Sequence, residues 1–165
     1  MWGVFYLQYV LGWPIMGYGI VPREPYGLIG IFTAPLIHAN VLHLVSNTIP
    51  MLFLGSALYF IYGKIAGQVF FRAYFWTNIL VWIFARPSNH IGASGVVYAI
   101  AFFLIFFGFF RRDFLSLFIS IVVVILYGGV FYGLLPNDPT ISFESHLAGA
   151  LVGIASAFTF SSKKQ

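Results

Sequence analysis

The chain of 165 residues has no cysteine, only four acidic residues, and charged side chains at just 7% of its positions. Without thiols there is no disulfide framework, no thiolate nucleophile and no cysteine metal site. The four acids are Glu24, Asp113, Asp138 and Glu144. None sits in an H-E-x-x-H pattern, which argues against a zinc metalloprotease. Lys and Arg give a net charge of +4 but are scattered between apolar runs. With no basic stripe, a nucleic-acid partner is not expected. Nor does any residue cluster call for a metal or another cofactor.

What is abundant is apolar surface, with 61% hydrophobic and 21% aromatic residues. That is far more than an ordinary soluble domain carries, so the sequence reads as a polytopic membrane protein of one domain, residues 1–165. Six apolar runs stand out, at about Trp2 to Ile20, Val41 to Tyr62, Val69 to Phe84, Ser94 to Phe110, Phe114 to Leu135 and Ser145 to Phe160. Each reads as a crossing, since about twenty apolar residues span a hydrocarbon core as a helix. The breaks between them carry turn residues or charge, such as Pro22-Arg23-Glu24-Pro25, Arg111-Arg112-Asp113 and Pro136-Asn137-Asp138-Pro139. The first run lacks a basic leader and a small-residue cleavage site, so it is read as a span and not a removed signal. The segment from Pro22 to Ala39 is too apolar for a solvated loop and too rich in Gly and Pro for a span. An interfacial or partly inserted hairpin fits it best.

Six spans put both termini on one side of the bilayer. Lys64, Arg72, Arg111, Arg112, Lys163 and Lys164 fall on that side, against Arg23 and Arg86 on the other. By the positive-inside rule the termini are cytoplasmic. The expected location is therefore a prokaryotic cell (inner) membrane, with the opposite ends of the helices facing outward.

Polar residues gather at those outward ends. Ser94 lies within Gly92-Ala93-Ser94-Gly95, His146 opens the last run, and His43 and Asn47 stand at i and i+4 of the second. Polar groups are costly in a bilayer and mark function by default. Serine needs a base within hydrogen-bond reach to act as a nucleophile, and His146 can supply it. Gly92 and Gly95 remove side chains near the hydroxyl, so a peptide can approach the backbone. Gly95 with Ala99, and Gly149 with Gly153, make small-residue faces that let two helices pack closely. Tyr98 shares the face of Ser94, where its ring can support the imidazole. His43, Asn47 and the Ser94 amide are candidate oxyanion donors. His38 reads as a support residue or a partner of the hairpin. Glu144 is two positions from His146 and points elsewhere on a helix, so the site reads as a dyad without a carboxylate. His90 reads as a loop residue.

These patterns resemble the rhomboid intramembrane serine proteases. The likeness rests on H-x4-H-x3-N at His38, His43 and Asn47; on G-x-S-G at Gly92 to Gly95, with Tyr98 following; and on H-x-A-G-x3-G at His146, Ala148, Gly149 and Gly153. It runs from about Leu36 to Phe160. The Trp-Arg pair and Glu-x-Arg motif common in that family are absent, the latter region reading Ala57-Leu58-Tyr59-Phe60-Ile61-Tyr62. The resemblance implies a six-helix transmembrane bundle, an all-α membrane fold with the hairpin between its first two helices. It also implies a serine–histidine dyad facing a water-filled cavity, and cleavage of single-span membrane proteins in the lipid bilayer. Rival readings are a catalytically inactive rhomboid-like chaperone, a channel or transporter with a path lined by His and Asn, and a bis-histidine haem protein. The spans lack the paired acids of coupled transporters. Both dyad residues, which an inactive relative would ordinarily have lost, are present.

Overall fold

The computed structural model describes residues 1–162. Lys163 and Lys164, used above to orient the chain, lie outside the described residues. Helix α1 covers Trp2–Tyr9, and α2, of one turn, Gly30–Thr33. The long helices are α3 (Val41–Ile61), α4 (Gly63–Phe84), α5 (Ser94–Arg111), α6 (Phe114–Tyr127) and α7 (Phe143–Ser161), with 3-10 turns between them. Among the described residues the sole extended pairing is a β-bridge between Ile20 and His90.

Four of these segments are long and apolar enough to cross a membrane: α3, α5, α7, and α6 with its 3-10 extension to Leu134. Helix α4, with 22 residues, is as long but more polar, and it starts already at Gly63. The first apolar run departs from expectation. It is helical over only eight residues, a rise of about 12 Å, against a hydrocarbon core of about 30 Å. Gly12, at φ +68, turns the chain just before Pro14. The described residues therefore do not reach the expected six crossings, and an even span count does not support the sidedness argument.

The helices begin where the sequence offers acceptors for their free N–H groups. Asn40 caps α3 by accepting from the His43 amide at 2.8 Å. Asp113 caps α6 through the Ser116 amide at 3.0 Å, and its carboxylate also pairs with Arg111 at 2.7 Å. Ser142 caps α7 through the Ser145 amide at 3.2 Å. Helices α4 and α5 differ, since no side chain caps their first turns. Pro50 lies inside α3, where it cannot donate to the carbonyl of Ser46.

Helix α5 is the most buried and forms the axis of the bundle, packing most extensively on α7 and next on α6. Small residues make this possible. A Cβ on Gly149 would lie 2.1 Å from the Gly95 carbonyl oxygen, and one on Gly153 would lie 2.3 Å from that of Ala99. On the other flank, a Cβ on Gly108 would meet the Ser116 carbonyl at 2.1 Å, and the Ser120 hydroxyl donates to the Ile105 carbonyl at 2.6 Å. Phe103, Phe107, Leu54, Leu58 and Tyr62 fill the remaining core at the far end.

The segment expected as a hairpin is a string of single helical turns, Pro25–Ile29, Gly30–Thr33 and Ala34–Leu36. Polar side chains of α4 hold it. Tyr74 donates to the Phe32 carbonyl at 2.6 Å, Asn78 to Ile31 at 3.0 Å and Trp82 to Glu24 at 3.0 Å. These bonds satisfy irregular backbone that lipid cannot, and they explain why α4 is the more polar long helix.

The glycine contacts give a direct test. Gly149→Val should destabilise the protein by about 1–3 kcal/mol through overpacking. Gly55→Ala, where the added carbon meets nothing within 4 Å, should have little effect. Thermal unfolding in detergent micelles measures both.

Candidate active site

Ser94, His146, His43, Asn47 and Tyr98, singled out in the sequence, line one cavity of about 660 Å³, walled by the starts of α3, α5 and α7, the 85–93 loop and the 136–142 loop. Ser94 is the first residue of α5, and His146 lies in the first turn of α7. The Ser94 hydroxyl and His146 Nε2 are 3.0 Å apart. On the other side of the ring, Nδ1 is 2.8 Å from the Gly133 carbonyl. A carbonyl only accepts, so Nδ1 carries the proton and Nε2 is left with its lone pair toward the serine. The Tyr98 ring stacks on the imidazole at a centroid distance of 4.0 Å and an interplanar angle of 4°.

No hydrogen bond joins the Glu144 carboxylate to His146. The carboxylate pairs with the Arg86 guanidinium at 3.4 Å. Arg86 also donates to the Pro139 and Ile141 carbonyls at 2.9 and 2.8 Å, fastening the 136–142 loop to the end of α4.

His43 lies across the cavity from the dyad. Its Nδ1 accepts from the Ala39 amide at 3.4 Å, leaving Nε2–H as a donor. That Nε2 points at Gly92, where a Cβ would lie only 2.6 Å away; Gly92 has φ +104, so its lack of a side chain serves both the backbone turn and the His43 ring. Gly95 has a packing role, since Thr77 and Ser145 already occupy the space beside it. Asn47 is buried and lines the cavity; one of its amide hydrogens bonds the His43 carbonyl at 2.7 Å. The uncapped start of α5 leaves main-chain N–H groups free beside Ser94, at the positive end of the helix dipole.

Two histidines prove more structural than catalytic in placement. His38 is fully buried, its ring edge-on to His43 with centroids 5.0 Å apart. Neither of its nitrogens has a hydrogen-bond partner of good geometry. Burial, with His43 beside it, pushes its pKa down to about 4. His90, read as a simple loop residue, is buried: its Nε2–H donates to the Arg86 carbonyl at 2.9 Å, and its Nδ1 accepts from the Ser142 hydroxyl at 2.6 Å. It thereby ties the cap of α7 to the loop before Ser94. Sequence spacing carried no sign of this tie, because Ser142 is 52 positions away.

Fold and site together define a polytopic membrane protein with its polar groups gathered at one end of a close-packed helix bundle. A family model for the rhomboid domain matches residues 25–163, and the chain belongs to that family. Uncharacterized proteins of Mycobacterium tuberculosis and Mycobacterium bovis are each 34% identical to it over 164 residues, an alignment covering 89% of this chain and 65% of theirs. One from Mycobacterium leprae is 34% identical over 153 residues, covering 82% of this chain and 57% of its own. The chain thus spans less than two thirds of the length of these relatives.

The lowered pKa of His38 makes stability depend on pH. The folded state disfavours its cation, so the contribution is complete above the unfolded value near 6.5 and is lost as pH falls from there to about 4. The full shift corresponds to about 3 kcal/mol. Unfolding measured across that pH range should show the decline, and His38→Phe should flatten it while keeping a ring against His43.

Proposed function

We propose that the protein is an intramembrane serine endopeptidase that cleaves single-span membrane proteins within or near their transmembrane segment. The observation that carries this reading is the 3.0 Å contact between Ser94 and an unprotonated His146 Nε2, set in a cavity within a membrane protein of the rhomboid family. Ser94 Oγ attacks the scissile carbonyl while His146 Nε2 takes its proton. The C–N bond then breaks, and the same nitrogen gives that proton to the leaving amine. Water then attacks the acyl-enzyme ester, with His146 again as base, and Ser94 is released.

The tetrahedral oxyanion is held by the Ser94 main-chain N–H, the Nε2–H of His43 and the second amide hydrogen of Asn47. An uncapped helix start supports this role, because its N–H groups are available at the moment charge develops. Tyr98 keeps the imidazole in plane and favours its transient cation. The cavity opens toward the outer face on this reading. Arg111 and Arg112 lie at the end of α5 opposite Ser94, and Lys64 lies at the same far end, at the start of α4, so the positive charge falls on the cytoplasmic side.

Substrate enters laterally when α6 and the 136–143 loop move. Helix α6 and its extension form the least buried of the four spans, and the loop is breached by Pro136 and Pro139.

Purified protein with a generic single-span substrate tests the reaction. Ser94→Ala and His146→Ala should each reduce cleavage by about 10⁴-fold or more; equal cleavage by the variants and the wild type would reject the dyad. His43→Ala or Asn47→Ala should lower kcat by about 10²–10³-fold. A covalent cross-link between the 136–143 loop and α3 should slow cleavage of membrane substrates, and an unchanged rate would reject the gate.

A further inference from the structure

The dyad has a third contact that comes from neither of its helices. The Gly133 carbonyl, on the 3-10 extension of α6, lies 2.8 Å from His146 Nδ1. Three glycines occur in this extension, and they are not equivalent. Around Gly128 and Gly129 a Cβ would meet nothing within 4 Å. At Gly133 it would fall 1.8 Å from the Tyr98 hydroxyl and 3.2 Å from His146 Nδ1. The missing side chain at Gly133 thus lets main chain approach the imidazole and the ring stacked beneath it.

Among the described residues no carboxylate is hydrogen-bonded to the His146 ring. Glu144 is engaged by Arg86, Asp138 by the amide and hydroxyl of Thr140, and Asp113 caps α6 at the far end of the bundle. Glu24 stands before the Pro25–Ile29 turn, its main chain held by Trp82 of α4. Yet a neutral imidazole can place its single proton on either nitrogen, and only the Nδ1–H form leaves Nε2 able to receive the serine proton. Something must select that form.

We infer that Gly133 is a positioning residue of the site: its carbonyl accepts from Nδ1–H and so holds His146 in the tautomer and orientation that face Ser94. The inference rests on the serine endopeptidase reading above. During attack the Ser94 proton passes to Nε2, the Nδ1–H stays on its nitrogen and continues to donate to Gly133, and the carbonyl never takes a proton. The leaving amine then receives the Nε2 proton. Because the acceptor belongs to the α6 extension, seating of that segment and readiness of the base are one event. When the segment stands away from α7, the ring loses its acceptor and the Nε2–H tautomer, which cannot deprotonate Ser94, gains population.

A main-chain ester tests this without adding any side chain. Replacing Leu134 by its α-hydroxy acid turns the Gly133–Leu134 linkage into an ester, whose carbonyl accepts more weakly. The same change at Leu135 removes the Leu135 N–H bond to the Tyr132 carbonyl at 3.2 Å but leaves the Gly133 carbonyl an amide. The Leu134 ester should lower kcat about tenfold with KM unchanged, whereas the Leu135 ester and Gly129→Ala should retain the wild-type kcat. Nitrogen-15 spectra of the His146 ring, recorded in a Ser94→Ala background, should show the Nδ1–H form in the parent and a shift toward Nε2–H in the Leu134 ester alone. Wild-type cleavage with an unmoved tautomer and kcat in the Leu134 ester, or an equal loss in the Leu135 ester, overturns the role of Gly133 and leaves the protease reading standing. A wild type that cleaves no single-span substrate strikes the protease reading itself, and the tautomer shift still reports the bond.

Discussion

The contact between Ser94 and His146 depends on how near the backbones of α5 and α7 come to each other. Ser94 and His146 sit in the first turns of these two helices, and neither side chain is long. Their contact at 3.0 Å exists because Gly149 lies directly on the Gly95 carbonyl and Gly153 on that of Ala99. In a bilayer no hydrophobic force presses helices together, since lipid tails are as apolar as leucine. Close backbone contact replaces that force through dispersion, and only residues without bulk allow it. One set of small residues thus supplies both the cohesion of the bundle and the geometry of its polar site.

A second constraint is that irregular backbone at membrane depth must be satisfied by protein. The turns from Pro25 to Leu36 meet it through Tyr74, Asn78 and Trp82 of α4. The loop after the α6 extension meets it through Arg86. His90 joins the same network and reaches the cap of α7. These bonds share one end of the molecule with the cavity, while the opposite end is packed with Phe103, Phe107 and their apolar neighbours. The division leaves a polar, adaptable half that carries the site and an apolar half that fixes the helix positions.

Much of this was readable in the sequence because the signals are local. Apolar runs gave α3, α5, α7 and α6 with its 3-10 extension to within a few residues. The placement of Ser94, His146, His43, Asn47 and Tyr98 around one cavity followed from their positions at helix ends on a common level. What stayed hidden depends on long-range pairing or on main chain. The bond from His146 to Gly133 involves a carbonyl, which has no letter in a sequence, and His90 and Arg86 find partners more than fifty positions away. The first run is helical over only eight residues, and hydropathy alone does not show the break made by Gly12 and Pro14. The short turns after it look like a hairpin until the donors on α4 are known.

Pro50 gives the cavity wall an unusual property. In an unbroken helix the carbonyl of Ser46 would be consumed by the amide one turn on, but the imino nitrogen there has no hydrogen to give. Ser46, Asn47 and Pro50 all line the cavity, so the carbonyl left without its usual donor belongs to a residue of the cavity wall. Hydration of a pocket surrounded by hydrocarbon requires such anchoring points, since a lone water molecule there must find two or more partners. A residue usually counted as a fault in a transmembrane rod thus leaves the cavity wall a foothold for solvent.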